Sequence, residues 1–301
     1  MFLRITAILL SLAIMMQGQA LAAAPAQTYN WIKGGKSVKL GNIATLDLGP
    51  DFLFLNDTDT KKMLKETNNS VYGNELGSVY PADENQDWVV YFEYDDSGHI
   101  KDAEKEKIDA KAILKSYKEG TEEHNKTLSE ADQIHVVGWD VEPFYDSQTH
   151  NLSWSMLAEY SDKTKLINYN VRLLTRTGYV SVILASDPDH LNEDKQILIS
   201  KILPKFAPVE GQRYQDYDAS KDKTSEYGLS ALILGGAGLA VAKKAGLLAL
   251  AAVFLKKGWI VILALIGIIF GGVKRLMGRK NKAAPQQTPA EPPQDPQQPS
   301  V

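Results

Sequence analysis

The sequence predicts an α+β domain, a mainly antiparallel sheet with packed helices, followed by a C-terminal transmembrane helix. Three observations carry that prediction. Residues 151–160 and 167–176 alternate apolar and polar side chains, 134–141 and 179–185 flank them, and short turns at 147–149, 161–163 and 177–178 join the neighbours into a meander. Ala110, Ile113, Leu114 and Tyr117 recur at helical spacing among lysines and glutamates, which makes an amphipathic helix lying on the sheet. Finally, residues 258–273 (GWIVILALIGIIFGGV) form one apolar run closed by Lys274, Arg275, Arg279, Lys280 and Lys282.

Composition agrees with a folded domain joined to a membrane segment. Of 301 residues, 44% are hydrophobic and 23% charged, enough apolar surface for a real core. Charge is unevenly placed: residues 25–227 hold 23 Lys and Arg against 35 Asp and Glu, a net of −12, whereas 228–282 hold nine basic residues and no acidic one. An acidic domain repels phosphate backbones, so nucleic acid is not expected as a partner. The chain has no cysteine. That removes disulfides, thiolate metal sites and cysteine nucleophiles.

In chain order, residues 1–24 read as a signal peptide: Arg4 in a short n-region, an apolar run over 5–16, and the small-residue exit Ala20-Leu21-Ala22. An uncleaved N-terminal anchor is the alternative, and it leaves the domain on the same side. The extracytoplasmic α+β domain spans 25–210. Its first strands are expected at 38–48 and 52–55, broken by Gly49-Pro50-Asp51, with Asp57 capping a short helix that runs to Thr67. Residues 88–94 (WVVYFEY) make a buried strand. The clean alternation of the later strands implies one covered sheet face and one wetter face. Asp187 and Pro188 are placed to open a helix whose apolar stripe is Leu198, Ile199, Ile202, Leu203 and Phe206.

Residues 211–228 are polar, carry Tyr214, Tyr217 and Tyr227, and read as a membrane-proximal connector instead of a core element. Lysine pairs at 243–244 and 256–257 then divide the apolar region. Each pair at mid-bilayer costs roughly 5 kcal/mol or more, so 229–257 reads as a glycine- and alanine-rich membrane-associated segment and 258–273 as the span. Two spans, 229–255 and 258–273, are the alternative, and they leave the basic end outside. Residues 274–301 are basic and then rich in proline and glutamine, a disordered cytoplasmic tail.

No catalytic or metal-binding motif stands out, and no cofactor is implied. His99, His124, His135, His150 and His190 lack zinc spacing, and Asp187, Asp189 and His190 are explained more simply by helix capping than by a metal. There is no G-x-S-x-G elbow, phosphate loop or dinucleotide fingerprint. At GNELGSVYP, IDAKAILKSYKEGTEEHN, VVGWDVEPFYDSQTHNLSW, INYNVRLLTRTGYV and GQRYQDYDASKDKTSEYGLSAL the chain resembles the uncharacterised bacterial membrane-anchored proteins grouped as DUF2167. The pattern includes Gly138-Trp139, Pro143, Tyr145-Asp146, Asn168-Tyr169, Arg176, Gly178, Tyr214, Asp222 and Tyr227-Gly228-Leu229; Thr175 departs from it, where the family tends to have glycine. The resemblance implies a bacterial source, a signal peptide and a C-terminal anchor, and no activity. A meander followed by a helix is also reminiscent of small α/β/α sandwiches of the PsbP and Mog1 type, by fold analogy alone.

Trp139, Tyr145, Asp146, Asn168 and Arg176 are the candidate ligand-binding residues, lining a groove on the wetter face. The plainer reading is that Asp146 caps a turn, Asn168 and Arg176 face solvent, and Trp139 is core. The expected function is a non-enzymatic, membrane-anchored extracytoplasmic binding or envelope-assembly protein. Its partners are the membrane and other membrane or envelope proteins, and its place is the bacterial cytoplasmic membrane, crossed once. The alternatives are an envelope hydrolase using carboxylates near Asp146, and a sensory or stress-response element.

Overall fold

The computed structural model describes residues 29–67 and 69–234. The signal peptide, the expected span at 258–273, the tail and most of 229–257 lie outside the described residues. Among the described residues no helix is long and apolar enough to cross a membrane.

The elements run β1 (Ile32–Lys33), β2 (Lys36–Leu40), β3 (Ala44–Leu48), β4 (Phe52–Asn56), α1 (Asp57–Glu66), β5 (Glu75–Pro81), β6 (Val89–Asp95), α2 (Ala110–Asn125), β7 (Ile134–Asp146), β8 (Asn151–Tyr160), β9 (Lys165–Leu174), β10 (Tyr179–Ala185), α3 (Leu191–Ile197), β11 (Phe206–Pro208) and α4 (Leu229–Leu234). Eight strands form an antiparallel sheet in the order β1-β4-β5-β6-β10-β9-β8-β7, and β11-β3-β2 form a second sheet. The predicted meander is therefore the β7 to β10 half of the large sheet, and the fold is α+β.

Several local expectations change. Residues 38–48 are a hairpin, not one strand. The cap of α1 is Asn56, whose side chain accepts from the Asp59 amide at 2.9 Å, one residue before the expected Asp57. Asp187 instead closes a turn on the Asp189 amide, and α3 starts later, behind His190. Beyond α3 a π-helical turn, Leu198–Ile202, and a 3₁₀ turn, Leu203–Lys205, place Leu198 and Ile202 inside but leave Ile199 exposed. β5 was not expected at all. Gly77 within it has φ 155° at a register shift, and a Cβ there would meet the Phe54 ring at 2.4 Å, so glycine is required for the bulge.

Both faces of the large sheet are covered, which corrects the expectation of one wetter face. On one side the small sheet and the π-helical turn after α3 bring Leu40, Leu46, Leu198 and Ile202 onto Phe54, Phe92, Val171 and Val182. On the other, α1 seats Met63 and Leu64 over Tyr80, Tyr91 and Ile183, while α2 and α4 seat Ile113, Tyr117, Leu232 and Ile233 over Leu152, Trp154 and Met156. The register explains why alternation misled. Trp154 pairs with Asn170 and Met156 with Asn168, so the apolar side of β8 and the polar side of β9 share one face. The polar residues of β9 are thus interior: Asn168, Asn170 and Arg172 are all buried.

Candidate functional site

The five predicted residues do not line one groove. Trp139, half-buried on edge strand β7, donates from Nε1 to the Ala110 carbonyl at 3.0 Å and meets Tyr117 edge-on. It fastens α2 to the sheet. Asn168 lies on the same rung, Trp139 pairing with Met156 and Met156 with Asn168, but it is buried and faces the interior. Tyr145, Asp146 and Arg176 lie toward the other end of the strands, where the β7–β8 and β9–β10 hairpins turn.

Asp146 is held within its own hairpin. It accepts from the Gln148 amide at 2.8 Å and the Thr149 hydroxyl at 2.7 Å, and the Thr149 hydroxyl and then the Gln148 amide lower its pKa. The plainer reading of this residue, a turn cap, is the observed one. For Arg176 the expectation of a solvent-facing side chain is corrected. Its Nε and Nη2 donate to the two carboxylate oxygens of Asp222 at 2.7 and 2.9 Å, and Nη1 to the Gly211 carbonyl at 3.3 Å.

Residues 211–228, read from sequence as a connector outside the core, are docked across this end of the sheet. His99 is buried, stacked between Tyr214 (4.5 Å) and Tyr217 (3.9 Å), and His150 packs on the other side of Tyr214 at 4.1 Å. The Tyr145 hydroxyl lies 3.1 Å from Asp102 and 3.0 Å from His150 Nδ1; it is satisfied by donating to Asp102 and accepting from His150. Tyr214 donates to the Ile100 carbonyl at 2.8 Å, and the Asp218 amide to Asp222 at 2.7 Å. His150 reaches this position with φ 55°, a conformation uncommon outside glycine. Gly178 closes the neighbouring hairpin where a Cβ would lie 1.9 Å from the Asp95 carbonyl oxygen.

The electrostatics of this cluster favour holding over proton transfer. Burial pushes Tyr214 up to about 12 and Tyr145 higher still, with the charge of Asp102 adding to both. Burial lowers the His99 pKa, and the Arg176 hydrogen bond keeps Asp222 below its usual range. Phenols raised this far from neutrality are poor general acids. Among the described residues no group of three or more His, Asp or Glu side chains is placed to hold a metal ion.

Sequence reasoning missed His99, Asp102 and His150 as members of this cluster, and Arg172 in the interior. The three tyrosines of 211–228, with Asp222, were the available signal. Neither a curated protein nor a solved structure matches the chain. A match over residues 32–267, which takes in the sheet, the docked connector and most of the apolar region, shows that the chain belongs to the family described as Protein of unknown function (DUF2167).

Proposed function

We propose that this chain is a non-enzymatic, membrane-anchored extracytoplasmic protein that binds a partner or assembles a complex in the bacterial envelope, crossing the cytoplasmic membrane once at 258–273. The observation that carries this reading is α4. Leu229, Leu232 and Ile233 are fully buried, and the Tyr117 hydroxyl donates to the Ile233 carbonyl. The apolar region beginning at α4 is therefore rooted in the fold, with residues 211–228 docked before it, so a domain anchored in this way works close to its bilayer.

The family match supports treating domain and apolar region as one unit, since it continues to residue 267. The small residues of 229–257 suit close packing against other membrane helices. A hydrolase centred on Asp146 has less support, because that carboxylate is already engaged by its own turn.

Sidedness tests the anchoring. The chain has no cysteine, so single cysteines at exposed Ser147 and at Ser300 report without background. In intact spheroplasts a membrane-impermeant maleimide is expected to label Ser147→Cys at once and Ser300→Cys only after permeabilisation. Labelling of Ser300→Cys in intact spheroplasts overturns the single-span topology. For the binding role, crosslinking in intact cells that recovers no partner, with full-length protein that is a monodisperse monomer, counts against assembly.

A further inference from the structure

The outer face of α2 carries a charge pattern that its own helix does not favour. Lys111, Lys115 and Lys118 stand at i, i+4 and i+7, so they share the face turned away from the buried Ile113 and Tyr117, and all three are exposed. No acidic residue lies between Ala110 and Lys118, whereas Glu119, Glu122 and Glu123 follow in the second half. A helix dipole favours the reverse order, carboxylates at the start and lysines at the end. Among the described residues Lys111 and Lys118 make no ion pair, and the pair of Lys115 with Glu119, at 3.7 Å, has both side chains more than half exposed. Such a pair holds its lysine weakly. Lys36 and Lys39, exposed on β2, have a local reason to be there, because β2 is an edge of the small sheet and lysines on an edge block pairing with another strand. α2 has no edge to guard.

α2 is also the helix on which α4 rests. Ile113 and Tyr117 pack with Leu229, Leu232 and Ile233, and the Tyr117 hydroxyl donates to the Ile233 carbonyl. The lysines and α4 thus lie on opposite sides of one helix, about 10 Å apart. Between Leu234 and Gly258 stand 23 residues, which reach ~35 Å even when wholly helical, so the chain can round α2 before it enters a bilayer. The rest of the domain is repelled by an anionic surface, since residues 25–227 carry a net charge of −12. In the loop leading into α2, Asp102, Glu104, Glu106 and Asp109 offset Lys101, Lys105 and Lys107, so the positive face begins with α2 itself.

We propose that Lys111, Lys115 and Lys118 dock the domain on the anionic phospholipid headgroups of the bilayer that the chain enters. The proposal rests on the anchored reading above and adds the orientation of the domain: the first half of α2 lies on the membrane, and the second half, with its carboxylates, tilts away. A lysine close to an anionic membrane surface raises the docked population on the order of fivefold, so three together raise it on the order of a hundredfold. Screening confines that gain to close contact.

The test uses the full chain in vesicles of three parts phosphatidylcholine to one part phosphatidylglycerol. Because the chain has no cysteine, a single donor dye is placed at Ala112→Cys, exposed on α2, or at Ser37→Cys, exposed on β2 across the large sheet. Energy transfer to headgroup-labelled lipid is expected to be stronger from position 112 than from position 37. It is expected to fall about twofold or more in phosphatidylcholine alone, and likewise in ~1 M NaCl, where charges are screened beyond about 3 Å. The triple variant Lys111→Gln, Lys115→Gln, Lys118→Gln, whose positions are exposed and whose fold is expected to be kept, should lose the transfer as fully; the matching triple arginine variant should keep it. Transfer that is equal with and without phosphatidylglycerol, stronger from position 37, or unchanged in the glutamine variant overturns the docking. Flotation reads the anchor separately. Protein that floats with phosphatidylcholine vesicles but shows no charge-dependent transfer overturns the docking alone, and protein that floats with neither vesicle overturns the anchor and the docking with it. If the glutamine variant loses crosslinked proteins in cells while its lipid transfer is unchanged, the lysines serve an acidic protein partner and the proposal fails.

Discussion

Glu93 on β6 carries a pH signature that one substitution exposes. Its carboxyl rises from 4.5 to about 7, chiefly through burial, with Glu75 adding and Arg172 opposing; Tyr91 and Tyr179 also face it. Between those two values the folded chain holds a proton that the unfolded chain has released. Stability is therefore expected to fall as pH rises from about 4.5 through about 7, and to level off above. Glu93→Gln removes this dependence. It is expected to match the wild type near pH 4 and to exceed it by about 2–3 kcal/mol at pH 8. Urea unfolding at the two pH values checks this, and an equal difference at both would assign Glu93 a pH-independent packing role.

At the scale of elements, the docked segment 211–228 is held by one well-formed ion pair, a stack of rings and a short backbone bridge at which the His99 amide donates to the Lys223 carbonyl and the Ser225 amide to the His99 carbonyl. Asp222→Ala removes the acceptor of both Arg176 and the Asp218 amide, and is expected to release the segment while leaving the sheet intact. Trypsin cleavage after Arg213, Lys221 and Lys223 should then quicken on the order of tenfold, because cutting requires local opening. Acid acts in the same direction. The lowered Asp222 pKa gives stability that is present above its ordinary 3.8 and lost as pH falls through the folded value. Unchanged cleavage in the variant would mean that the stack of His99, Tyr214 and Tyr217, with the backbone bonds between His99 and residues 223–225, holds the segment without the ion pair.

Elements were legible where periodicity and turn chemistry agreed. Strands β8 and β10 fall at their expected residues and α2 begins at its expected Ala110, because alternation, short hairpins and helical spacing are local properties. The wet face was misread because alternation reports which side chains match, not which side of the sheet each strand turns toward a partner. Only the pairing of Trp154 with Asn170 shows that β9 sends its asparagines inward. The docking of 211–228 was illegible for a related reason. Its tyrosines meet His99 and His150, residues far away in sequence that the hairpin ends bring together. Of the candidate site, Tyr145 and Arg176 were found, but Asp102 and Asp222 complete their hydrogen bonds.

For the whole molecule, the boundary between folded domain and apolar region falls inside α4, not before it. Leu229, Leu232 and Ile233 are fully buried and Leu234 is 6% exposed, packed with Ile113, Tyr117 and Trp154. Four such side chains contribute roughly 6 kcal/mol or more at about 1.5–3 kcal/mol each, a large part of the 5–15 kcal/mol that typically holds a domain. A chain cut at residue 228, where the polar connector ends by sequence, is therefore expected to lose most of its stability and to aggregate through the uncovered α2 cluster. A chain cut at residue 234 keeps the cover and is expected to unfold cooperatively. Denaturant unfolding of the two truncations separates the cases: equal midpoints would mean that α4 lies on the domain without stabilising it, and would remove the observation on which close anchoring rests.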